Sequence, residues 1–335
     1  MRARLRAIGL GLCLALGACA ETLAPPSPSV LVTPNFSEGN FIAEDGTALS
    51  LRMWRPEGKV TAAILALHGF NDYSNAFAAA GKRWSEDGIA VYAYDQRGFG
   101  RSPVTGTWAG APAMVRDVAN ASAIIRERHP GVPLYLLGES MGGAVVMAAV
   151  TGAAAAPLPD IDGIILVSPA VWGRETMTVF ERAGLWLGDE LFPGLTLSGN
   201  SLGIVASDNI DMLRGLGRDP LVIKGTRIDA IKGLVDLMDL ALASAPLLTQ
   251  KTLLLCGERD PIIPPESTHL MITRLNPASR SQRTIAWYKD GYHMLLRDLD
   301  AELVMRDVEA WIKDAAQPLP SGADRNGGAV LAISP

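Results

Sequence analysis

Three side chains far apart in the sequence, a serine, an aspartate and a histidine, are of types that together can do nucleophilic chemistry. Ser140 stands in Gly138-Glu139-Ser140-Met141-Gly142, with an apolar run before it and a small-residue run, 143–150, after it. Strand, sharp turn and helix is the natural reading of that stretch. A serine at such a turn has a strained backbone that lifts its hydroxyl clear of the sheet edge. Glycines two before and two after leave room for strand and helix to pass closely. A hydroxyl is a poor nucleophile until a base takes its proton, and imidazole is the side chain whose protonation changes near neutrality. His293, in Asp290-Gly291-Tyr292-His293, is the expected base. Asp260, in Gly257-Glu258-Arg259-Asp260-Pro261, is the expected carboxylate that holds the imidazole tautomer and stabilises the imidazolium. The backbone amides of Met141, behind the nucleophile, and of Phe70, in Leu67-His68-Gly69-Phe70, are the expected oxyanion donors.

The remaining reactive side chains have plainer readings. His68 reads as a structural turn histidine, His129 as a residue favourable at a helix C-terminus, and His269 as a helix-flank residue without special context. Cys256 closes the apolar run 253–255 and reads as a buried core thiol. Gly98 and Gly100 fall short of a dinucleotide fingerprint, because Pro103 stands where the third glycine belongs and no helix follows directly. A tight loop beside the site, fixed by Asp95 and Arg97, is expected instead. The four histidines are scattered without ligand spacing, so no metal is expected.

Positioning three such groups requires a sheet. Continuous apolar runs at 60–67, 89–94, 132–137 and 161–167 alternate with helical stretches at 75–87, 111–128 and 143–156. That alternation predicts a mostly parallel α/β sheet covered on both faces. A hairpin at 40–44 and 48–54, turning at Asp45-Gly46, opens it. Some eighty residues then separate Ser168-Pro169-Ala170 from the strand at 252–256, too many for a structureless loop, so an inserted lid is predicted at 171–250. Within it Met177, Phe180, Leu187 and Leu191 fall near helical spacing, and 229–247 is a second amphipathic stretch. A helix at 264–275, a last strand at 284–288 and a closing helix at 301–315 complete the body. Its two parts are 38–170 and 251–317, and a disordered tail is expected at 318–335. Ser140, Asp260 and His293 each follow a strand, at the carboxyl edge where open α/β sheets bind ligands.

Of the 335 residues, 48% are hydrophobic and 19% charged, enough for one large core, and the formal net charge of -5 with no basic run argues against a nucleic-acid partner. Arg2, Arg4 and Arg6, the apolar run 7–16 and Gly17-Ala18-Cys19 follow the order of a secretory signal, too short to span a bilayer. Leu16-Gly17-Ala18-Cys19 resembles the lipobox of bacterial lipoproteins, which implies a signal peptide at 1–18, lipidation of Cys19, membrane attachment through it and a Pro/Ser-rich tether over 19–37. Ala20 after that cysteine implies an outer-membrane lipoprotein facing the periplasm. A soluble exported protein is the alternative. Cys13 lies inside the signal, so a lipidated Cys19 leaves Cys256 with no disulfide partner.

The strings Leu67-His68-Gly69, Asp95-Gln96-Arg97-Gly98-Phe99-Gly100-Arg101-Ser102, Gly138-Glu139-Ser140-Met141-Gly142-Gly143, Ser168-Pro169-Ala170, Asp219-Pro220-Leu221, Gly257-Glu258-Arg259-Asp260 and Tyr292-His293 are distributed over 35–317. Together they resemble the monoacylglycerol lipase and lysophospholipase branch of the α/β-hydrolases, whose triad also runs Ser, Asp, His. The resemblance implies an eight-stranded, mostly parallel sheet flanked by helices, with a helical lid inserted after strand six. It implies Ser140 as nucleophile, Phe70 and Met141 as oxyanion amides, and cofactor-free hydrolysis of a single-chain acyl ester lipid, monoacylglycerol or lysophospholipid. Two departures leave the head group open. Glu139 stands where many of these lipases have histidine, and 171–217 aligns with no lid of the branch. A short-chain carboxylesterase, an acyltransferase or a cofactor-free haloperoxidase would use the same triad, and a non-catalytic binding lipoprotein would keep only the fold.

Overall fold

The computed structural model describes residues 31–152, 157–198 and 203–325. The expected signal peptide, Cys19 and most of the expected tether lie outside the described residues. In chain order the strands and helices are β1 (Asn35–Ser37), β2 (Asn40–Ile42), β3 (Ala48–Trp54), β4 (Ala62–Leu67), α1 (Ala78–Glu86), β5 (Ile89–Tyr94), α2 (Ala111–Arg128), β6 (Leu134–Glu139), α3 (Met141–Val150) and β7 (Gly163–Val167). They continue with α4 (Val179–Leu191), β8 (Thr196–Ser198), α5 (Ile210–Arg218), β9 (Gly225–Arg227), α6 (Ile228–Ser244), β10 (Thr252–Gly257), α7 (Pro265–Arg274), β11 (Arg283–Tyr288) and α8 (Ala301–Lys313).

The apolar runs form the sheet because their residues have two faces to fill. Along β4, Ala63, Leu65 and Leu67 enter a core with α2, α3 and α6, while Ala62, Ile64 and Ala66 enter a second core with α1 and α8. The sheet order is β1-β2-β3-β5-β4-β6-β7-β10-β11. Six strands, β5-β4-β6-β7-β10-β11, run parallel, and β1, β2 and β3 extend the β5 edge antiparallel. The chain leaves β4 for β5 on one side and returns by α2 to β6 on the other, so a crevice opens between the carboxyl ends of β4 and β6.

Three expected boundaries change. The main sheet has nine strands rather than eight, because Asn35–Ser37, assigned above to the tether, pairs with β2. Glu38 and Gly39, at φ 49° and 77°, make the two-residue turn between them. The insertion expected at 171–250 ends near 227, since Val235, Leu237, Met238, Ala241 and Leu242 of α6 are core residues and the helix packs on α3. The tail expected to be disordered from 318 instead packs through residue 325. Leu319 and Ala323 are buried, and the Ser321 amide and hydroxyl both donate to Asp307.

The shortened insertion is tied to the body by polar contacts at both ends of the crevice. The Ile223 amide donates to the Asn71 carbonyl at 2.9 Å, Asn71 Nδ2 to Thr226 Oγ1 at 2.7 Å, and the Tyr73 hydroxyl to Asp219 at 2.7 Å. On the other side the Met294 amide donates to the Ala206 carbonyl at 3.2 Å and Ser207 Oγ to Asp298 at 2.6 Å. By contrast α4 has no buried residue, although a capping box of Thr178 and Glu181 starts it.

Candidate active site

Ser140 is the residue between β6 and α3, and its backbone is held at φ 52°, ψ −116°. A non-glycine residue there is strained, and the surroundings over-determine it. The Ser140 amide donates to the Val167 carbonyl at 2.9 Å, and its own carbonyl accepts from Ala170 at 2.9 Å and Ala144 at 3.2 Å. A Cβ at Gly142 would collide with the Leu67 carbonyl, and one at Gly138 with the Gly142 carbonyl. The glycines on either side of the serine are thus required by close passage of α3 over β4 and β6.

The loop after β4 comes against Ser140. A Cβ placed on Gly69 would lie 3.3 Å from Ser140 Cβ and 3.9 Å from its Oγ. His68 fixes that loop. Its Nε2 accepts from the Gln96 amide at 2.9 Å, which leaves the proton on Nδ1 to donate to the Gly69 carbonyl at 2.8 Å. Burial lowers its pKa and keeps the ring neutral. Because the 69–70 peptide is trans, a carbonyl turned to the His68 ring directs the Phe70 N–H the opposite way. Met141 opens α3, and first-turn helix amides have no acceptor within their own helix, so its N–H is available at the positive end of the dipole.

Asp260 and His293 come from the loops after β10 and β11. Those loops are knitted together by Glu258 N to the Tyr288 carbonyl (3.0 Å) and Arg259 N to the Gly291 carbonyl (2.9 Å). Asp260 Oδ1 accepts from the amides of Ile262 (2.8 Å) and Ile263 (3.1 Å), which aims Oδ2 at His293 Nδ1, 2.8 Å away. With Nδ1–H donating to a carboxylate, Nε2 is the imidazole's free acceptor, the tautomer a general base needs. Among the described residues no hydrogen bond joins the Ser140 hydroxyl to this imidazole. Catalytic hydrogen bonds in unliganded enzymes are commonly long and tighten with substrate.

The loop expected from Asp95 and Arg97 is present beside the site. Asp95 accepts from the Ser74 amide and hydroxyl and from the Arg101 amide, while Arg97 is bidentate to both Asp45 and Asp117. Cys256 is buried, and burial pushes its thiol pKa up. His269 stacks at a tilt on Trp287 and lines a cavity of about 380 Å³ that also touches Asp260, Ser168 and Thr268. The larger cavity, about 780 Å³, lies at the opposite strand ends, near Thr61, Ile89 and Pro133, away from the triad. Among the described residues no acidic, histidine and cysteine cluster could hold a metal ion.

One arrangement had no clear signal in the sequence. Arg297, four residues past His293, donates to Asp72 at 2.7 Å and to Glu139 at 3.2 Å, and all three side chains are buried. Glu139 alone stood out, as a departure at the residue before the nucleophile.

A strand-order switch, a strained serine at a strand–helix turn and a carboxylate–imidazole pair along one sheet edge define an α/β-hydrolase, here a carboxylic ester hydrolase. The chain belongs to the serine aminopeptidase S33 family (Hydrolase_4), which matches residues 58–300. It is 26% identical over 291 residues to a monoacylglycerol lipase of Mycolicibacterium smegmatis, covering 84% of this chain and 99% of that protein. It is 28% identical to a monoglyceride lipase of Mus musculus, over 82% of this chain and 89% of that one. The crystal structure of a monoacylglycerol lipase from Paleococcus ferrophilus superposes with a TM-score of 0.64 at 25% identity, over 79% of this chain and 98% of that one.

Proposed function

We propose that Ser140, His293 and Asp260 form a catalytic triad that hydrolyses carboxylic esters of single-chain lipids, monoacylglycerol or lysophospholipid, through an acyl-enzyme. The observation that carries the reading is the 2.8 Å contact between Asp260 and His293, on the same rim as a serine held in a strained turn. His293 Nε2 takes the Ser140 proton as Oγ bonds to the acyl carbon, and the Phe70 and Met141 amides hold the oxyanion, each contributing about 3 kcal/mol to the barrier. Collapse of that intermediate breaks the ester C–O bond, and the imidazolium gives its proton to the departing alcohol. Water then attacks the acyl-enzyme by the same path, releasing the acid and restoring the serine.

Support for a lipid comes from the insertion and the relatives together. On and just past α4, Val179, Phe180, Trp186, Leu187, Leu191 and Phe192 are all at least half exposed, with Phe180 at 88%, an apolar surface on the segment beside the crevice. The named relatives act on monoacyl glycerides. A short-chain carboxylesterase fits the same triad. The resemblance of Cys19 and its neighbours to a lipobox supports a lipid-anchored protein of the bacterial envelope, which would hold the enzyme beside its substrate.

The Ser140→Ala variant is expected to lose at least about 10⁴-fold in turnover and all labelling by a fluorophosphonate. Retention of most activity contradicts the triad. A chain-length series of monoacyl esters with lysophospholipid alongside separates the substrate classes. Rising kcat/KM toward long acyl chains is expected, and a preference for acetyl esters favours the short-chain reading.

A further inference from the structure

The three loops that carry the catalytic groups converge on one buried guanidinium. Arg297 Nη1 lies 2.7 Å from Asp72 Oδ2, and Nη2 lies 3.2 and 3.4 Å from the two oxygens of Glu139. The side chains of Arg297, Asp72 and Glu139 are only 10%, 8% and 2% exposed. Glu139 is the last residue of β6 and the direct neighbour of Ser140. Asp72 closes the turn of the oxyanion loop by its amide bond to the Gly69 carbonyl at 3.3 Å, with Asn71 between it and Phe70 at φ 64°. Arg297 belongs to the turn that begins at His293, its amide donating to the Met294 carbonyl at 2.7 Å.

A buried cluster of this kind is a poor source of stability. Desolvating three charges offsets much of their mutual attraction, and apolar replacements of similar volume are often equally stable. Among the described residues Arg297 Nε has no hydrogen-bond partner. What it supplies is geometry. A guanidinium is planar and presents its donors in a fixed fork, so two carboxylates held on its two Nη groups have their separation set by the fork.

We infer that Arg297 is a positioning residue that sets the oxyanion loop, the nucleophile turn and the histidine loop in mutual register through Asp72 and Glu139. This rests on the triad proposed above and extends it to side chains that touch no substrate. Ångström-scale errors in the placement of reacting groups cost up to about 10²-fold in rate. A lysine at 297 keeps the charge but offers a single point donor that cannot span both carboxylates. The Glu139→Gln change keeps size and one acceptor but loses the negative charge and the second acceptor oxygen that Arg297 Nη2 reaches.

The test compares wild type, Arg297→Lys and Glu139→Gln as full mature chains, on p-nitrophenyl octanoate well below their melting temperatures. Turnover is counted per active site titrated with a fluorophosphonate, so that any unfolded fraction drops out. Losses in kcat per titrated site of at least about thirtyfold for Arg297→Lys and fivefold for Glu139→Gln are expected, with KM within about twofold of wild type. Arg83→Lys, in an ion network at the far cavity, should turn over as wild type does. The inference is overturned by smaller losses per titrated site, whatever the fall in melting temperature, or by a rise in KM with kcat unchanged. If Arg297→Lys does not fold, Glu139→Gln decides alone. Failure of the wild-type chain to label is a separate result, which removes the triad itself.

Discussion

His68 and Ser140 show how one backbone turn and one tautomer place a chemical group. The imidazole of His68 is fully buried between the Gln96 amide and the Gly69 carbonyl, an arrangement that only the neutral ring satisfies. Burial therefore holds its pKa below the ordinary 6.5, with nearby Asp72, Asp95 and Glu139 opposing the shift. In the unfolded chain the ring takes up a proton as pH falls through 6.5, whereas in the folded chain it does so only at lower pH. Its contribution to stability is thus present above pH 6.5 and is lost as pH falls below it, with a slope of up to about 1.4 kcal/mol per pH unit. His68→Gln should flatten the acid limb of the urea-unfolding free energy between pH 6.5 and 5, and an unchanged slope would contradict the buried neutral ring. Neither Asp72 nor Arg297 has a motif around it, because an ion cluster formed between loops 225 residues apart in sequence leaves no local pattern.

At the scale of elements, periodicity was informative where residues are buried on a regular repeat and silent elsewhere. The six parallel strands were legible because burial on both faces demands continuous apolar runs, as in β4, β6 and β10. The three-residue β1 was not, since a strand that short has no pattern and its turn consists of ordinary Glu38 before Gly39. Helix α6 reads as amphipathic wherever it lies, so its packing on α3 rather than within the insertion could not be distinguished. Helix α4 is the opposite case, amphipathic in sequence but with only Leu185 of its large apolar side chains packed on the core and Val179, Phe180, Trp186, Leu187 and Leu191 exposed. Exposed aromatic and aliphatic residues on one helix of the insertion suit a membrane surface. The double variant Phe180→Ser/Trp186→Ser is expected to bind phospholipid vesicles at least about tenfold more weakly in a sedimentation assay. Equal binding would show that α4 does not face lipid.

For the molecule as a whole, the sheet collects at one rim what the sequence spreads over more than 220 positions, from Phe70 to His293 and Arg297. The crevice between the carboxyl ends of β4 and β6 exists because the chain reverses direction of travel there, and it receives the loop 68–72 from one strand and the Ser140 turn from the other. The order of motifs predicts the residues along this rim, and the parallel strands before them carry their loops to it. The insertion is tied to the loop after β4 at Asn71 and Tyr73 and to the loop after β11 at Met294 and Asp298. A crystal structure of the fluorophosphonate adduct tests the central claim most directly. Phosphorus bonded to Ser140 Oγ is expected, with one phosphonyl oxygen within about 3.2 Å of both the Phe70 and Met141 amides and His293 Nε2 within hydrogen-bonding distance of Oγ. Phosphorus on another residue, or an imidazole at 293 turned away from the adduct, would contradict it.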